Sequence, residues 1–350
     1  MASIVQTRGS LYFLRDKDYL TGEVGKYVKI GLVRYDKPTK DRVKEHQTGN
    51  PRGILDVGTI EDIPFVEQLE NIMHYKYNHA WVTGEWFLLS NQELKQVIQD
   101  AEALKQQQKK HHTTVLRAEE LSKFVSNGVI IPADEEILAL KSEFNQLKSK
   151  QKNIDAKLQI IRSEIYSAMN GNGFIPGVAN VSKTEPKPGF DTKRFIEKHP
   201  DLYNRYLIQQ ETDISGSISF SGVPKLQKIN EELYKQLKEI PDENLSASKL
   251  TQQTARTKKI EKLHENHLQE LRVQRLLKWE VFLLEAKFKT IIGENSEIEG
   301  ICKWNRLEKT KEKFDEKQFK EDYTELYERY ILPKKPVFKL NITPNRAYPF

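Results

Sequence analysis

Sulfur and long apolar runs are scarce in this chain of 350 residues. It has a single cysteine, Cys302, which excludes an internal disulfide and a cysteine-based zinc site and fits a reducing compartment. No apolar run approaches the ~20 residues that a membrane helix needs, and the N-terminus lacks the apolar core of a signal peptide. We therefore expect a cytoplasmic protein with no membrane partner.

Proline and glycine are absent between Ala133 and Asn170, where apolar residues recur at a spacing of three and four. This pattern predicts a coiled-coil seam. A second unbroken stretch, Asp242–Ile292, could form a helix of ~75 Å at 1.5 Å per residue. The two helices can pair with each other or with a second copy of the chain, which leaves a homodimer open. The seam positions are Ile137, Leu140, Phe144, Leu147, Ile154, Leu158, Ile161 and Ile165.

Charge is unevenly distributed over the first ninety-four residues. Residues 1–55 carry 11 Lys and Arg against 6 Asp and Glu, whereas residues 56–94 carry 1 against 7. A basic first half fits a surface that faces phosphates, and an acidic second half could hold a cation, although moderate charge excess also serves solubility.

The first ninety residues predict a small compact unit. The order β-β-α-β-α-β indicates an α/β sandwich with a mainly antiparallel sheet. The predicted elements are a hairpin of strands 10–15 and 26–33, a short helix with Arg42 and His46, strand 53–60, a helix opened by Pro64, and a last strand at 84–88.

Ser90 and Glu93 have the spacing of a capping box, so a new helix begins there and leaves the first unit. It runs into a polar tract, residues 105–112, that shows no core-facing stripe and predicts a mobile or surface helix. The expected division is a compact domain (1–94), a helical linker (95–132) and two further segments, 133–222 and 223–350.

Those two segments contain an internal repeat. Residues 190–195 and 199–206 are echoed 124 residues later by residues 314–319 and 323–330. Asp191 and Asp315 are natural N-caps of the repeated helix. The large residues match almost throughout, which predicts a duplicated long-helix, strand, helix, strand unit with a shared kind of core. The fold class expected for the whole chain is α+β.

The compact unit contains residues sufficient for cutting a phosphodiester. Tyr12 and Lys29 lie on adjacent strands of the predicted hairpin. Together they can act as the general base, because a nearby cation helps a tyrosine lose its proton. The planar fork of Arg42 can bind two phosphate oxygens. Glu70 is the candidate metal ligand, since Mg²⁺ or Mn²⁺ is often held beside phosphate by one carboxylate and several waters.

Two histidines follow these groups at helical spacing. His46 is one turn beyond Arg42 and is a further catalytic candidate, whereas His74, one turn beyond Glu70, is expected to orient its neighbours rather than ligate a metal. A purely structural interpretation stays open, in which Tyr12 fills the hairpin face and Arg42 pairs with Glu45 or Glu70.

The motifs Ser10-Leu11-Tyr12, Lys29-Ile30-Gly31, Arg42 with His46, and Glu70 resemble, in that order, the motifs of the GIY-YIG nuclease superfamily. The closing Gly84-Glu85-Trp86-Phe87 resembles its phage-type DNA-binding branch, and the similarity covers about residues 8–90.

The resemblance implies a divalent-metal endonuclease in which Tyr12 or its partner activates water, Arg42 binds phosphate and Glu70 holds the metal. Ser10 stands where the first motif usually has glycine, and Lys29 replaces the tyrosine of the second motif, although Tyr27 shares its strand face. The identity of the base is therefore open.

The repeated tail resembles more weakly the accessory segment beside the core of YqaJ-type phage recombinase exonucleases. This similarity implies a DNA-binding or docking accessory that occurs twice, and by analogy a mobile-element or anti-phage setting.

We expect a metal-dependent DNA endonuclease with a C-terminal helical arm for DNA engagement or assembly. The alternatives are a non-catalytic DNA-binding protein and a coiled-coil scaffold that recruits a partner enzyme. DNA sequence and structure preference cannot be deduced, because no recognition helix is visible.

Overall fold

The computed structural model describes residues 8–35, 38–48, 51–209, 213–240, 249–309 and 312–344. Within these ranges no helix is long and apolar enough to cross a membrane. The α+β class expected from the sequence is confirmed, because an N-terminal antiparallel sheet is followed by long helices.

The N-terminal unit is built around an antiparallel sheet with the strand order β3-β1-β2-β5-β4. The hairpin expected at its start is confirmed, with Tyr12 opposite Gly31. A short 3-10 turn, Asn78–Ala80, precedes β4. The elements are β1 (Gly9–Lys17), β2 (Val24–Arg34), α1 (Thr39–Gln47), β3 (Gly53–Ile63), α2 (Val66–Lys76), β4 (Trp81–Thr83), β5 (Trp86–Leu88) and α3 (Asn91–Leu121).

The two faces of this sheet are covered differently. Every second residue of β1 and β2 faces α2 and α3. These residues, among them Leu11, Phe13 and Ile30, pack with the two helices in a fully buried core. The helix α1 lies on the opposite face, where its residue His46 reaches Tyr12. Successive side chains of a strand point to opposite faces. Tyr12, between Leu11 and Phe13, therefore points to the face that α1 covers.

The helix α3 is continuous through the polar tract. The capping box of Ser90 and Glu93 is confirmed by both of its hydrogen bonds. The tract, which is expected to show no core-facing stripe, has one buried position: the Gln108 side chain bonds both the N–H and the C=O of Phe65. A buried amide with two backbone partners docks the helix as firmly as an apolar side chain would, and a search for apolar periodicity misses it.

The remainder of the described chain, from residue 130 onward, forms what we call the arm. It contains two long helices of 35 residues and several short strands and helices. Its elements are β6 (Ile130–Ile131), α4 (Glu135–Met169), β7 (Asn172–Ile175), β8 (Ala179–Thr184), β9 (Gly189–Phe190), α5 (Thr192–Lys198), α6 (Pro200–Arg205), β10 (Leu207–Gln209), β11 (Asp213–Ser215), β12 (Ser219–Phe220), α7 (Leu226–Ile229), α8 (Glu231–Glu239), β13 (Lys249–Gln253), α9 (Lys258–Ile292), β14 (Glu297–Ile298), β15 (Cys302–Lys303), β16 (Leu307–Lys309), β17 (Glu312–Phe314), α10 (Glu316–Asp322), α11 (Thr324–Glu328), β18 (Ile331–Leu332) and β19 (Val337–Ile342).

The seam of α4 is filled by α9 of the same chain. Ile137 packs near Ile292 at one end, and Ile165 packs with Ile260 at the other, so the two helices run antiparallel. Leu158 contacts the middle of α9 in a separate cluster. Of the two pairings that the sequence left open, the structure shows the one within the chain, and a second copy is not needed to cover the seam.

The expectation of one unbroken helix over Asp242–Ile292 is wrong for its described part. Residues 242–248 lie outside the described residues, and Lys249–Gln253 is a strand that pairs in parallel with β7. The helix begins only after Thr257, whose hydroxyl accepts from the Ile260 N–H. Threonines favour strands and N-caps over helix interiors, which shortens the helix to about 52 Å.

The two copies of the repeat, β6 to β12 and β13 to β19, are interlocked. The hairpin β7–β8 of the first copy is flanked by β13 and β19 of the second, and the hairpin β14–β15 of the second is flanked by β12 and β6 of the first. Equivalent peptide groups close the exchange: the Asp191 N–H donates to the Tyr330 carbonyl at 2.8 Å, and the Asp315 N–H donates to that of Tyr206 at 2.7 Å. The arm is thus a pseudo-symmetric dimer within one chain.

An aromatic cluster lies where the copies meet. Phe195 and Phe319 occupy equivalent positions in the two copies, are fully buried, and have ring centroids 4.8 Å apart. Asp191 and Asp315 cap the two helices as expected. Each aromatic side chain therefore stabilises both copies at once.

Replacing Phe319 by alanine is expected to lower the free energy of unfolding by about 3–5 kcal/mol, since it leaves a cavity in a shared core. Phe195→Ala is expected to cost a similar amount. Chemical denaturation followed by circular dichroism measures both. The exposed neighbour Lys317 provides the control, and Lys317→Ala is expected to change stability by less than about 0.5 kcal/mol. Two separate transitions for the arm, only one of them shifted, would contradict the interlocked arrangement.

Candidate active site

Tyr12 lies in the middle of β1, opposite Gly31 in β2 and Thr59 in β3. Its side chain is only 1% exposed although it faces away from the main core. The ring rests directly on Gly31, because a Cβ at that position would lie 2.4 Å from the Tyr12 hydroxyl oxygen. The glycine of Lys29-Ile30-Gly31 is therefore required to make room for the tyrosine of the preceding strand.

The helix α1 brings two polar side chains to this tyrosine. Arg42 and His46 are four residues apart and so share one helix face. The Tyr12 hydroxyl oxygen lies 2.9 Å from Nε2 of His46, and the Arg42 guanidinium is within hydrogen-bonding reach of the same hydroxyl. Because a guanidinium only donates, Tyr12 accepts from Arg42 and directs its own hydrogen to His46. Arg42 also forms the ion pair with Glu45 that the sequence allowed.

The helix end that carries these residues is tied to the sheet by Gln47. Its side-chain oxygen accepts from the Ile54 N–H at 2.7 Å, and its amide nitrogen donates to the Arg52 carbonyl at 3.0 Å. These two bonds join α1 to β3 and set the height of His46 above the sheet.

Glu70 and His74 reach the site along the edge of β2. The strand β5 pairs with β2 up to Lys29, and the Ile30 N–H donates to the Glu85 carbonyl at 3.0 Å. Beyond that point α2 supplies the partners. His74 Nε2 lies 2.8 Å from the Ile30 carbonyl and donates to it, and the Leu32 N–H donates to the Glu70 carboxylate. His74 is thus placed as a residue that joins helix to strand, while one side of the Glu70 carboxylate is held next to Gly31.

Lys29 forms an ion pair with Glu85. Its ammonium is therefore not directed at Tyr12 alone. The lysine is 9% exposed, and the carboxylate side chain is 43% exposed. Glu85 belongs to the turn before β5 and was not a site candidate at the sequence level. The signal was an acidic residue next to Trp86, the cross-strand partner of Lys29.

Burial sets the protonation of the groups around Tyr12. Burial, reinforced by the charge of Glu85, raises the pKa of Tyr12 to about 12. Burial together with the charges of Lys29 and Arg42 lowers the pKa of His46 below 6.5. At neutral pH the phenol is therefore protonated and the imidazole is neutral, which suits a hydrogen bond from Tyr12 to His46.

Glu70 has an unusual carboxylate. Burial first, and then the charge of Glu85, raises the pKa of Glu70 to about 7. Two acidic groups near one point, one of them poorly hydrated, provide the hard oxygen donors that Mg²⁺ or Mn²⁺ takes together with water. In the part of the chain that the structure describes, no three His, Cys, Asp or Glu side chains form a metal-binding group, so a site here would depend on carboxylates and water.

The five sequence-predicted site residues thus fall into two sets. Tyr12, Arg42 and His46 are in direct contact. Lys29 and Glu70 lie beside them and, after burial, their charges together with that of Glu85 shift the pKa values of Tyr12 and His46. All lie at the junction of β1, β2, α1 and α2.

Residues 9–102 match the family model of the T5orf172 domain. This stretch is thus similar to a phage-associated domain family that is related to the GIY-YIG and HNH-like nucleases. The match covers the whole N-terminal sheet with α1, α2 and the first turns of α3. We call this unit the T5orf172 domain. The match does not extend to the arm. It indicates a nuclease-like or DNA-binding function. Comparison with curated proteins and with solved structures found no match.

The raised pKa of Glu70 makes a specific prediction about stability. The folded state binds this proton more tightly than the unfolded chain, so the stabilisation is complete below pH ~4.5 and is lost as the pH rises through about 7. Relative to Glu70→Gln, the native protein is expected to lose up to about 3 kcal/mol between pH 5 and pH 8. Denaturant unfolding at several pH values measures this difference. Glu61→Gln, at an exposed carboxylate of β3, is expected to leave the pH dependence unchanged, and an identical profile for Glu70→Gln would disprove the assignment.

Proposed function

We propose that the T5orf172 domain is the catalytic domain of a metal-dependent DNA endonuclease. The observation that carries the proposal is the hydrogen bond between the Tyr12 hydroxyl and His46, with Arg42 at the same hydroxyl and Glu70 at the adjacent strand edge. Hydrolysis of a phosphodiester needs a base for water, a donor to the phosphate oxygens and charge neutralisation. These residue types supply all three.

Tyr12 and His46 would act together as the base. Water attacks phosphorus and gives its proton to the Tyr12 oxygen while the phenolic proton moves to Nε2 of His46, and the bond from phosphorus to the leaving oxygen breaks. A phenol with a pKa of about 12 cannot act alone at neutral pH, but in this relay it never carries a full negative charge. Lys29, held by Glu85, favours the neutral imidazole that must receive the proton.

Arg42 would bind the phosphate. Its guanidinium has more N–H groups than its bonds to Tyr12 and Glu45 use, and its planar fork fits two non-bridging oxygens. The ion pair with Glu45 keeps the Arg42 side chain in place before the substrate arrives. A bound phosphate would then compete with Glu45 for the same guanidinium.

Glu70 would hold the divalent cation, with Glu85 as the second nearby carboxylate. When bound, Mg²⁺ or Mn²⁺ neutralises charge on the phosphate and at the leaving oxygen. The contribution of the protein is to fix Glu70 through the Leu32 N–H, so that the carboxylate does not need to reorganise.

The arm is proposed as a DNA-engaging accessory. Residues 130–350 carry 38 Lys and Arg against 33 Asp and Glu, and the two interlocked copies of the arm offer two related surfaces. Backbone contacts from such a surface would be sensitive to salt. A mobile-element or anti-phage setting, and DNA as the partner, follow from the phage-associated domain by analogy.

Plasmid nicking in Mg²⁺ or Mn²⁺ tests the activity. Glu70→Gln, Arg42→Ala and His46→Ala are each expected to lower the rate at least about 100-fold while the proteins remain folded. Since His46 must be unprotonated and Glu70 must be ionised to hold the cation, the rate is expected to rise with pH through about 7 and to level off above it. Glu61→Gln is the matched control and should keep full activity.

The alternative of a DNA-binding protein without catalysis predicts a different result. Native protein would then retain DNA in a mobility-shift assay but would cut no plasmid in any divalent metal. A nuclease whose rate is unchanged in both Glu70→Gln and His46→Ala would also contradict the proposed mechanism.

Metal binding can be tested apart from turnover. A cation at Glu70 stabilises the carboxylate, so saturating Mg²⁺ or Mn²⁺ is expected to move the stability transition near pH 7 toward lower pH and to raise the melting temperature at pH 8. Glu70→Gln should show neither change. The same metal response in native protein and in Glu70→Gln would place the ion elsewhere.

A further inference from the structure

A shallow cleft of about 300 Å³ adjoins the proposed catalytic residues on the sheet. It is lined by residues of β1, β2, β4 and β5 together with Arg52. Its walls include two aromatic side chains, Tyr27 and Trp86, and the aliphatic Val82. Asp16 and Arg52, which form an ion pair with each other, line one end of it. Nothing in the catalytic mechanism above uses this cleft.

The cleft begins next to the catalytic residues. Trp86 is the cross-strand partner of Lys29 and directly follows Glu85. Tyr27 is two residues before Lys29 and shares its strand face, about 7 Å along the strand. Paired residues on adjacent strands have Cβ atoms ~5 Å apart. A group in the cleft would thus lie within about 7 Å of Lys29, which borders the proposed catalytic residues.

The chemistry of the cleft fits an aromatic ring better than a second phosphate. Tyr27 is 48% exposed and Val82 is 36% exposed, which leaves apolar surface open to solvent. The cation at its end, Arg52, already pairs with both Asp16 and Asp18, so this group carries a net negative charge and leaves no free cation among the described residues that line the cleft for a second phosphate. The volume is at the lower end of the ~300–1,000 Å³ of ligand pockets, enough for one base and its sugar.

A base can enter such a cleft only if it has left the base stack. In a duplex both faces of each base are covered by neighbours, whereas an unpaired base can stack on protein aromatics, at ~1–3 kcal/mol per base. The aromatic floor therefore favours substrates in which the nucleotide next to the scissile phosphate is unpaired.

We propose that Tyr27 and Trp86 form a stacking subsite for an unpaired nucleotide, which directs cleavage to single-stranded DNA or to unpaired positions in a duplex. This inference rests on the proposed function for the position of the scissile phosphate. The subsite itself is a binding feature and can be measured without cleavage.

The test uses the full chain carrying Glu70→Gln, without divalent metal, and a fluorescein-labelled oligonucleotide either single-stranded or annealed to its complement. The single strand is expected to bind at least about tenfold more tightly than the duplex. Trp86→Ala and Tyr27→Ala are each expected to lose about tenfold on the single strand and to leave the duplex unchanged. Trp86→Phe keeps an aromatic ring and should retain most of the affinity. Phe124→Ala removes a 58% exposed aromatic side chain from a position after α3 and serves as the control.

Equal affinity of the Glu70→Gln protein for the two forms of DNA would overturn the subsite, and this comparison does not depend on the folding of any alanine variant. So would alanine variants that weaken both forms equally or neither. Cleavage of single-stranded DNA at the same rate by native protein and by Trp86→Ala would also overturn it while leaving the nuclease proposal intact. Preference for single strands without cleavage in any metal would have the opposite consequence, since the subsite would stand and hydrolysis would fall.

Discussion

The arrangement of the candidate site depends on the early end of β5. The last bond from β2 to this side is that of the Ile30 N–H to the Glu85 carbonyl, so the Ile30 carbonyl and the Leu32 N–H lie at an open strand edge, and buried peptide groups without partners are costly. His74 and Glu70 of α2 satisfy them. The same two bonds fix α2 against β2 and hold the Glu70 carboxylate beside the tyrosine. A requirement of backbone hydrogen bonding thus places the acidic group of the site.

The sequence predicts the N-terminal unit well because its signals are local. A short hairpin, a capping box at Ser90 and helical spacing between Arg42 and His46 each require only neighbouring residues, and each is found. The role of Gly31 is of a different kind. The motif shows that a glycine occurs there, but only the cross-strand register shows that the Tyr12 ring occupies its space.

Long-range geometry explains what sequence could not predict at the site. Strand adjacency predicts that Lys29 acts on Tyr12. In the structure its ammonium instead binds Glu85, which lies 56 residues later in the chain. His46 takes the place beside the phenol because α1 folds back over the sheet. An ionisable group is positioned by whichever partner the tertiary fold brings nearest, and spacing within one element cannot rank partners from another.

The arm shows the same limit at a larger scale. The duplicated sequence correctly indicates two similar units, but the strands are exchanged between them, so neither copy completes its own sheet. Two identical exposed strand edges can pair with each other's partners at no extra energetic cost, which is the basis of domain swapping between chains. Here both copies are covalently linked, which makes the exchange intramolecular and leaves α9 free to pack its other side on the T5orf172 domain. Trp279 of α9 contacts Phe65, and the Leu268 carbonyl accepts from Asn78.

The segregation of charge along the first ninety-four residues has a structural cause before it has a functional one. Basic side chains of the first half pair with acidic side chains of the second, as in Arg8 with Asp62, Lys29 with Glu85, and Arg34 with Glu67. The exposed pairs among them contribute at most about 1 kcal/mol each, so they cannot explain the fold, but the three pairs neutralise three of the basic side chains that suggest a phosphate-facing surface. Glu70 differs from these carboxylates because it is buried with a backbone donor and beside another acid rather than paired with a cation, and burial makes its charge more costly than theirs. A divalent cation bound there would offset that cost, whereas the ion-paired carboxylates of the acidic half already have cationic partners.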